Sequence, residues 1–167
     1  MTARYTMLVA LALAACGQAP EAPPAPLEIA AGSTCDLDGM LLADYPGPKG
    51  QIHYKDDVQP HWLCDTLEVL AMLKKPEQVR VVRAAYVQDM AQTDWARPHG
   101  HWIDARTAWY VLGSKRHGSM GPTAASFATE AAAKAFAAEQ GGRVLAYDAI
   151  TPELTDLSGG AQHDGKM

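Results

Sequence analysis

The 167-residue sequence has no basic block: 14 Lys and Arg are scattered among 19 Asp and Glu, and the net charge is −5. Phosphate binding needs clustered cations, so nucleic acid is excluded as a partner. A Gly-x-Ser-x-Gly elbow, a phosphate loop and a His-Glu-x-x-His helix are all missing, and each of those chemistries depends on its own spacing. The nearest pairing of nucleophile and base is Cys64 with His61, but the spacing is short and Cys64 reads as a buried residue at a helix start. No enzyme is expected. Cys-x-x-Cys and His-x-x-x-His are absent as well, which disfavours a structural zinc site. Beyond the first 15 residues no long apolar run occurs, so nothing else in the sequence reads as a membrane span.

What is present begins at the N-terminus. Arg4 precedes an apolar run from Met7 to Ala15, and Leu13-Ala14-Ala15 leads directly into Cys16. The run has the length of a secretory h-region rather than a spanning helix. Small residues before a cysteine are the pattern of a bacterial lipoprotein signal, in which the cysteine is acylated and becomes the new N-terminus. Residues 1–15 are therefore expected to be removed and Cys16 to carry the lipid anchor, on the periplasmic side of a membrane. Gly17, rather than Asp, favours the outer membrane. Residues 16–32 comprise the lipidated cysteine and a Pro/Ala-rich linker, QAPEAPPAP from Gln18 to Pro26, expected as an extended spacer. Residues 153–167, ending in LSGGAQHDGKM, are expected as a flexible tail.

Roughly 150 residues remain after the signal, enough for one domain or two very small ones. Leu41–Asp44 reads as a short strand after a turn, and Gln51–Lys55 alternates with Gln51, His53 and Lys55 on one face. Cys64–Lys74 has helical spacing with Pro76 just past its end, and Val79–Val87 is β-branched and aromatic. Further on, Gly100–Asp104 and Ala108–Leu112 read as strands, with a turn at His117–Pro122. An Ala-rich helix is expected over Phe127–Gln140, capped by Thr123 or Ser126 and ended by Gly141-Gly142; Arg143–Ala149 then reads as a strand. The order strand, strand, helix, strand occurs twice. The fold class is α+β, two small ββαβ units in tandem, over residues 33–90 and 91–152.

With Cys16 taken by lipid, Cys35 and Cys64 remain. In an oxidising compartment two cysteines read as a disulfide; the competing reading keeps at least one as a thiolate for a metal. Soft donors gather in two turns: Cys35 and Met40 around Asp38-Gly39, and His117 and Met120 around Gly118. Thiolate, thioether and imidazole together select Cu(I), whereas hard cations want oxygen ligands. Met72 and Met90 lie in or beside apolar elements and read as core. As a third ligand His117 ranks first, for its closeness to Met120, followed by His53. The His99–His101 loop and His163 carry weaker signals.

Several of these segments resemble one family. Cys35-Asp36-Leu37-Asp38-Gly39-Met40 is similar to the Cys-x-x-Cys-Gly-Met segment of the NosL family, accessory lipoproteins of nitrous oxide reductase. So are Ala43–Tyr54 (ADYPGPKGQIHY), Ala85–Asp89, Gly113-Ser114-Lys115, and Met120-Gly121-Pro122 leading into Phe127-Ala128. The resemblance implies two ββαβ units, Cu(I) binding, and delivery of copper to the reductase beside a membrane ABC transporter complex in denitrification. It places ligands at Cys35 and Met120, completed by Met40 or a histidine, His117 or His53. Asp38 stands where many relatives have the second cysteine, so a two-cysteine chelate within that motif is impossible here. The rival expectation is a metal-free, partner-binding lipoprotein closed by a Cys35–Cys64 disulfide.

Overall fold

A computed structural model describes residues 22–157; the signal over 1–15, Cys16 and residues 158–167 lie outside the described residues. The elements are β1 (Gly50–Tyr54), β2 (His61–Leu63), α1 (Thr66–Lys74), β3 (Val82–Gln88), β4 (Trp102–Asp104), β5 (Trp109–Gly118), β6 (Gly121–Phe127), α2 (Glu130–Gln140) and β7 (Arg143–Ala146). Among the described residues no helix is long and apolar enough to cross a membrane.

The repeat read from element order is real in the topology. The first sheet runs β2-β1-β3-β4 and the second β6-β5-β7, with antiparallel pairing throughout. In each, a hairpin is followed by a helix, and the next strand returns antiparallel beside the hairpin's first strand. Trp102–Asp104, expected to open the second unit, instead pairs with β3 and closes the edge of the first sheet. The second hairpin is β5–β6, and the expected turn at 117–122 is its tip.

Side-chain alternation stacks these pieces. Ile52, Tyr54, Leu63, Ala85 and Val87 face α1, which presents Val69 and Leu70; Tyr110 and Ala124 cover the same core from the second sheet. The opposite face of the second sheet, with Val111, Ala125 and Phe127, packs on Ala133 and Phe136 of α2. Thus α1 lies between the sheets and α2 outside the second. Each fully buried aliphatic side chain contributes roughly 1.5–3 kcal/mol.

Differences from the sequence reading have local causes. Leu42–Asp44 is a 3₁₀ turn, joined to the chain by a single bridge between Thr34 and Leu41. The strand His61–Leu63 is too short to register as a period. Thr123 and Ser126 do not cap α2 because both belong to β6, where Thr123 Oγ1 donates to Asp65 Oδ1 and Ser126 Oγ to the Gln88 carbonyl; Thr129 is the cap, accepting from Ala132 N–H. The linker is not a free spacer over its described part. Gln51 exchanges two hydrogen bonds with the Leu27 backbone, and the Tyr86 hydroxyl donates to the Pro24 carbonyl. Residues 22–29 thereby cover the first sheet's outer face. Nor does the loose tail begin at 153: Pro152–Thr155 is a 3₁₀ turn, with Thr155 buried and Leu154 packed on the core.

The two units meet where the Tyr45–Lys49 loop approaches the tip of the β5–β6 hairpin. Gly47 adopts φ +80°, and a Cβ there would lie 2.6 Å from the Gly118 Cα. Gly47→Ala is expected to cost about 3 kcal/mol through left-handed strain and this backbone clash. A urea midpoint equal to wild type would contradict the close approach.

Candidate metal centre

The loop carrying Cys35 is closed by its own backbone. The Cys35 N–H donates to the Met40 carbonyl at 2.8 Å, and the Gly39 N–H returns to the Cys35 carbonyl at 2.9 Å. Asp38 Oδ1 accepts from the Met40 N–H, and Gly39 turns the chain at φ +78°, a conformation suited to glycine. The Asp36 N–H donates to the Trp62 carbonyl at 2.9 Å, fastening the loop beside β2. Cys35 is thus buried with Leu42 and Cys64, under Ile29 and Trp62.

Cys64 stands between β2 and α1. Its N–H and that of Asp65 donate to Glu68 Oε2 at 3.0 and 3.2 Å, and Asp65 Oδ1 accepts from the Leu67 N–H at 2.8 Å. This is a capping box, in which cap and third helical residue satisfy each other's orphan N–H groups. It also aims Glu68 at the thiols. Cys35 Sγ donates to Glu68 Oε2 at 3.5 Å, and Cys64 Sγ lies 3.7 Å from Glu68 Oε1 and 3.8 Å from Asp38 Oδ2. One ligand atom each from Cys35, Asp38, Cys64 and Glu68 falls within 4.8 Å of the others. Both cysteines are free thiols.

Electrostatics separate the two sulfurs. The hydrogen bond from Cys64 lowers the Cys35 pKa against the opposing effect of burial. The same contact, with burial and the neighbouring Glu68, raises that of Cys64. Burial also raises the Glu68 pKa. Asp65, buried and with Oδ2 unpartnered, is pushed up to about 7 by desolvation.

The second unit clasps this centre. Ser119 Oγ donates to the Cys64 carbonyl at 2.6 Å and accepts from Lys49 Nζ at 2.7 Å. Met120 follows at the hairpin tip, half exposed at 51 %. Of the residues read from sequence, Cys35 and Met40 share the closed loop, and Met120 is carried to the Cys64 side by its neighbour. The histidines do not join the cluster. His117 is exposed, and its carbonyl accepts from Trp95 Nε1. His53 is buried on the sheet face covered by the N-terminal segment, with Nε2 2.9 Å from Gln51 Oε1 and its ring edge-on to Tyr86. Burial, then Arg83, lowers its pKa.

Cys64 is the member of this cluster that spacing along the sequence does not single out. The Asp65-x-x-Glu68 box directly after it marks a thiol at a helix start, a signal that gains meaning only once Cys35 is seen beside it. Asp38 occupies the motif position without a thiol, yet its carboxylate lies against the Cys64 sulfur. A second thiol reaches the motif from another loop.

Comparison with known proteins bears on this geometry. The NosL family model matches residues 26–155. The chain belongs to the NosL family. It is 38 % identical over 162 residues to the copper-binding lipoprotein NosL of Stutzerimonas stutzeri, covering 95 % of this chain and 84 % of that one. Against the copper-binding lipoprotein NosL of Achromobacter cycloclastes it is 39 % identical over 119 residues, 69 % of this chain and 62 % of that one. The crystal structure of the copper chaperone NosL from Shewanella denitrificans superposes with a TM-score of 0.74 at 37 % identity, over 80 % of this chain and 99 % of that one. The NosL fold is therefore the α+β architecture described above.

Burial of Asp65 has a measurable consequence for the metal-free protein. Its folded pKa of about 7 exceeds the ordinary 3.8, so the folded state keeps a proton that the unfolded chain releases. Stability is complete below about pH 4, declines as pH rises through about 7, and levels above it. Glu68 contributes with the same sign. Urea midpoints from pH 4 to 8 should fall by this trend in wild type and flatten in Asp65→Asn; an unchanged slope in the variant would remove Asp65 as its source.

Proposed function

We propose that this chain is a lipid-anchored Cu(I) carrier that supplies copper for maturation of nitrous oxide reductase in denitrification. The reading rests first on the two buried thiols lying side by side beneath a methionine-bearing hairpin. Family membership and the copper-binding names of its relatives point the same way. Two thiolates and a thioether are soft donors that suit monovalent copper. Cys35 and Cys64 are the anionic ligands of this reading, with Met120 and Met40 as thioether donors; His117 is a spare donor at the open side, and His53 has a structural role.

A carrier has to release its cargo. The exposed Met120 thioether marks an open side of the site, where a partner's ligand can enter as the old bonds break. Loading displaces the thiol protons. Anchoring through Cys16 would hold the carrier on the periplasmic face of a membrane, the outer one by the Gly17 criterion, with the reductase as recipient and its ABC transporter maturation complex as partner.

Anaerobic titration with Cu(I) against a chromophoric chelator tests the reading. One Cu(I) per chain is expected, with most of the affinity lost in Cys35→Ser and in Cys64→Ser. Met120→Leu should weaken binding about tenfold, close to 1.4 kcal/mol, and His53→Ala should leave it unchanged. If Cys64→Ser binds as wild type while His53→Ala does not, the ligand set is wrong. Fully reduced protein that never competes with the chelator would overturn the copper reading and favour a disulfide-closed partner protein, recognised by the absence of titratable thiol after purification in air.

A further inference from the structure

Lys49 is fully buried, a rare condition for an ammonium group. Its Nζ donates to the Pro46 carbonyl at 2.8 Å, the Gly47 carbonyl at 3.0 Å and Ser119 Oγ at 2.7 Å. All three acceptors are neutral, and among the described residues no carboxylate lies at ion-pair distance. Taking a charge out of water without a counter-charge is costly, and desolvation lowers the Lys49 pKa to about 8. The acids that pull in the opposite direction are Asp65, Cys64, Glu68 and Cys35. Geometry makes the same connection: Ser119 Oγ accepts from Lys49 Nζ at 2.7 Å and donates to the Cys64 carbonyl at 2.6 Å, so two hydrogen bonds separate the ammonium from the backbone of the candidate metal centre.

That centre presents a selectivity problem. Cys35 and Cys64 are soft, but Asp38 and Glu68 add two carboxylates within the same 4.8 Å cluster. Two thiolates with two carboxylate oxygens make a donor set that suits a tetrahedral divalent ion such as Zn(II). Every nearby carboxylate strengthens this bias, because anionic neighbours attract a dication more than a monocation. A buried cation acts in the opposite sense. When two thiols lose their protons and bind a monovalent metal, the metal–sulfur unit carries −1; with a divalent metal it carries zero. An adjacent ammonium stabilises the first complex and leaves the second unassisted.

Building on the copper reading, we propose that Lys49 is a specificity-determining residue, whose buried charge makes the Cys35–Cys64 site prefer monovalent over divalent thiophilic cations. Lys49 also braces the hairpin through Ser119, and that bracing role predicts a different result. Loss of the brace alone should weaken all metals alike, whereas loss of the charge changes their ratio.

The experiment measures Cu(I) and Cd(II) affinities of the purified full-length protein in detergent, each by chelator competition at one fixed pH near neutrality. Lys49→Gln keeps a hydrogen-bond donor and removes the charge; Cu(I) binding should weaken about tenfold while Cd(II) binding holds or tightens. Lys49→Arg should retain the wild-type preference, and Ser119→Ala should shift both metals by one common factor. A Lys49→Gln protein in which both affinities move together, or neither moves, overturns the proposal. If that variant does not fold, nitrogen-15 NMR of the wild-type lysine side chain decides: an ammonium at Lys49 in the Ag(I)-loaded protein supports it, and a neutral amine overturns it. Wild type that binds neither metal refutes the copper reading and this role with it. Wild type that binds Cu(I), with a preference insensitive to Lys49, refutes this role alone.

Discussion

The first turn of α1 is the constraint on which the rest depends. A helix start leaves backbone N–H groups unsatisfied, and here the Glu68 and Asp65 carboxylates take those of Cys64, Asp65 and Leu67. The same side chains have second duties. Glu68 faces both thiols, and Asp65 receives the Thr123 hydroxyl from the second sheet. One capping device thus positions a sulfur, aims a carboxylate and registers one ββαβ unit against the other.

Close backbone approach completes the junction. A side chain at Gly118 would collide with Asp65 Oδ2 at 2.2 Å, and one at Gly47 with Gly118 itself. Between these contacts the hairpin tip hydrogen-bonds to the Cys64 carbonyl through Ser119. Met120 of the second unit thereby follows directly on the residue bonded to the Cys64 backbone of the first. The candidate centre mixes donor types, sulfur suited to a soft monocation and oxygen suited to a hard dication, with a buried ammonium bonded to the same hairpin tip. Such a mixture is costly to fold, since Asp65, Glu68 and Lys49 all lose hydration, and buried charge of this kind is weak evidence for stability. Its place beside two thiols argues for use rather than for stabilisation.

Much of the architecture was legible because it is written in local patterns. The β1 alternation, the spacing of Leu67, Leu70 and Lys74 with Pro76 beyond, and the Gly141-Gly142 stop each concern residues near in sequence, and their elements form where expected. Errors arose where a residue's environment is set by a distant strand. Thr123 and Ser126 are good caps in isolation, but strand pairing with β5 and partners across the unit boundary claim them first. Gly100–Asp104 looked like the start of the second unit, and its edge position in the first sheet follows from pairing with β3.

The site divides in the same way. Legible in contiguous residues are the inventory of soft donors, the Cys35–Met40 turn, the helix start after Cys64 and the resemblance to the NosL family. Packing between elements sets the rest: Cys64 joins Cys35, His53 is buried under the N-terminal segment, and Lys49 is buried against the hairpin tip that bonds to the Cys64 carbonyl. Spacing along a chain reports neighbours within one element. Which two loops meet is decided by the packing of sheets on a shared helix, and by which buried polar groups find partners when they do.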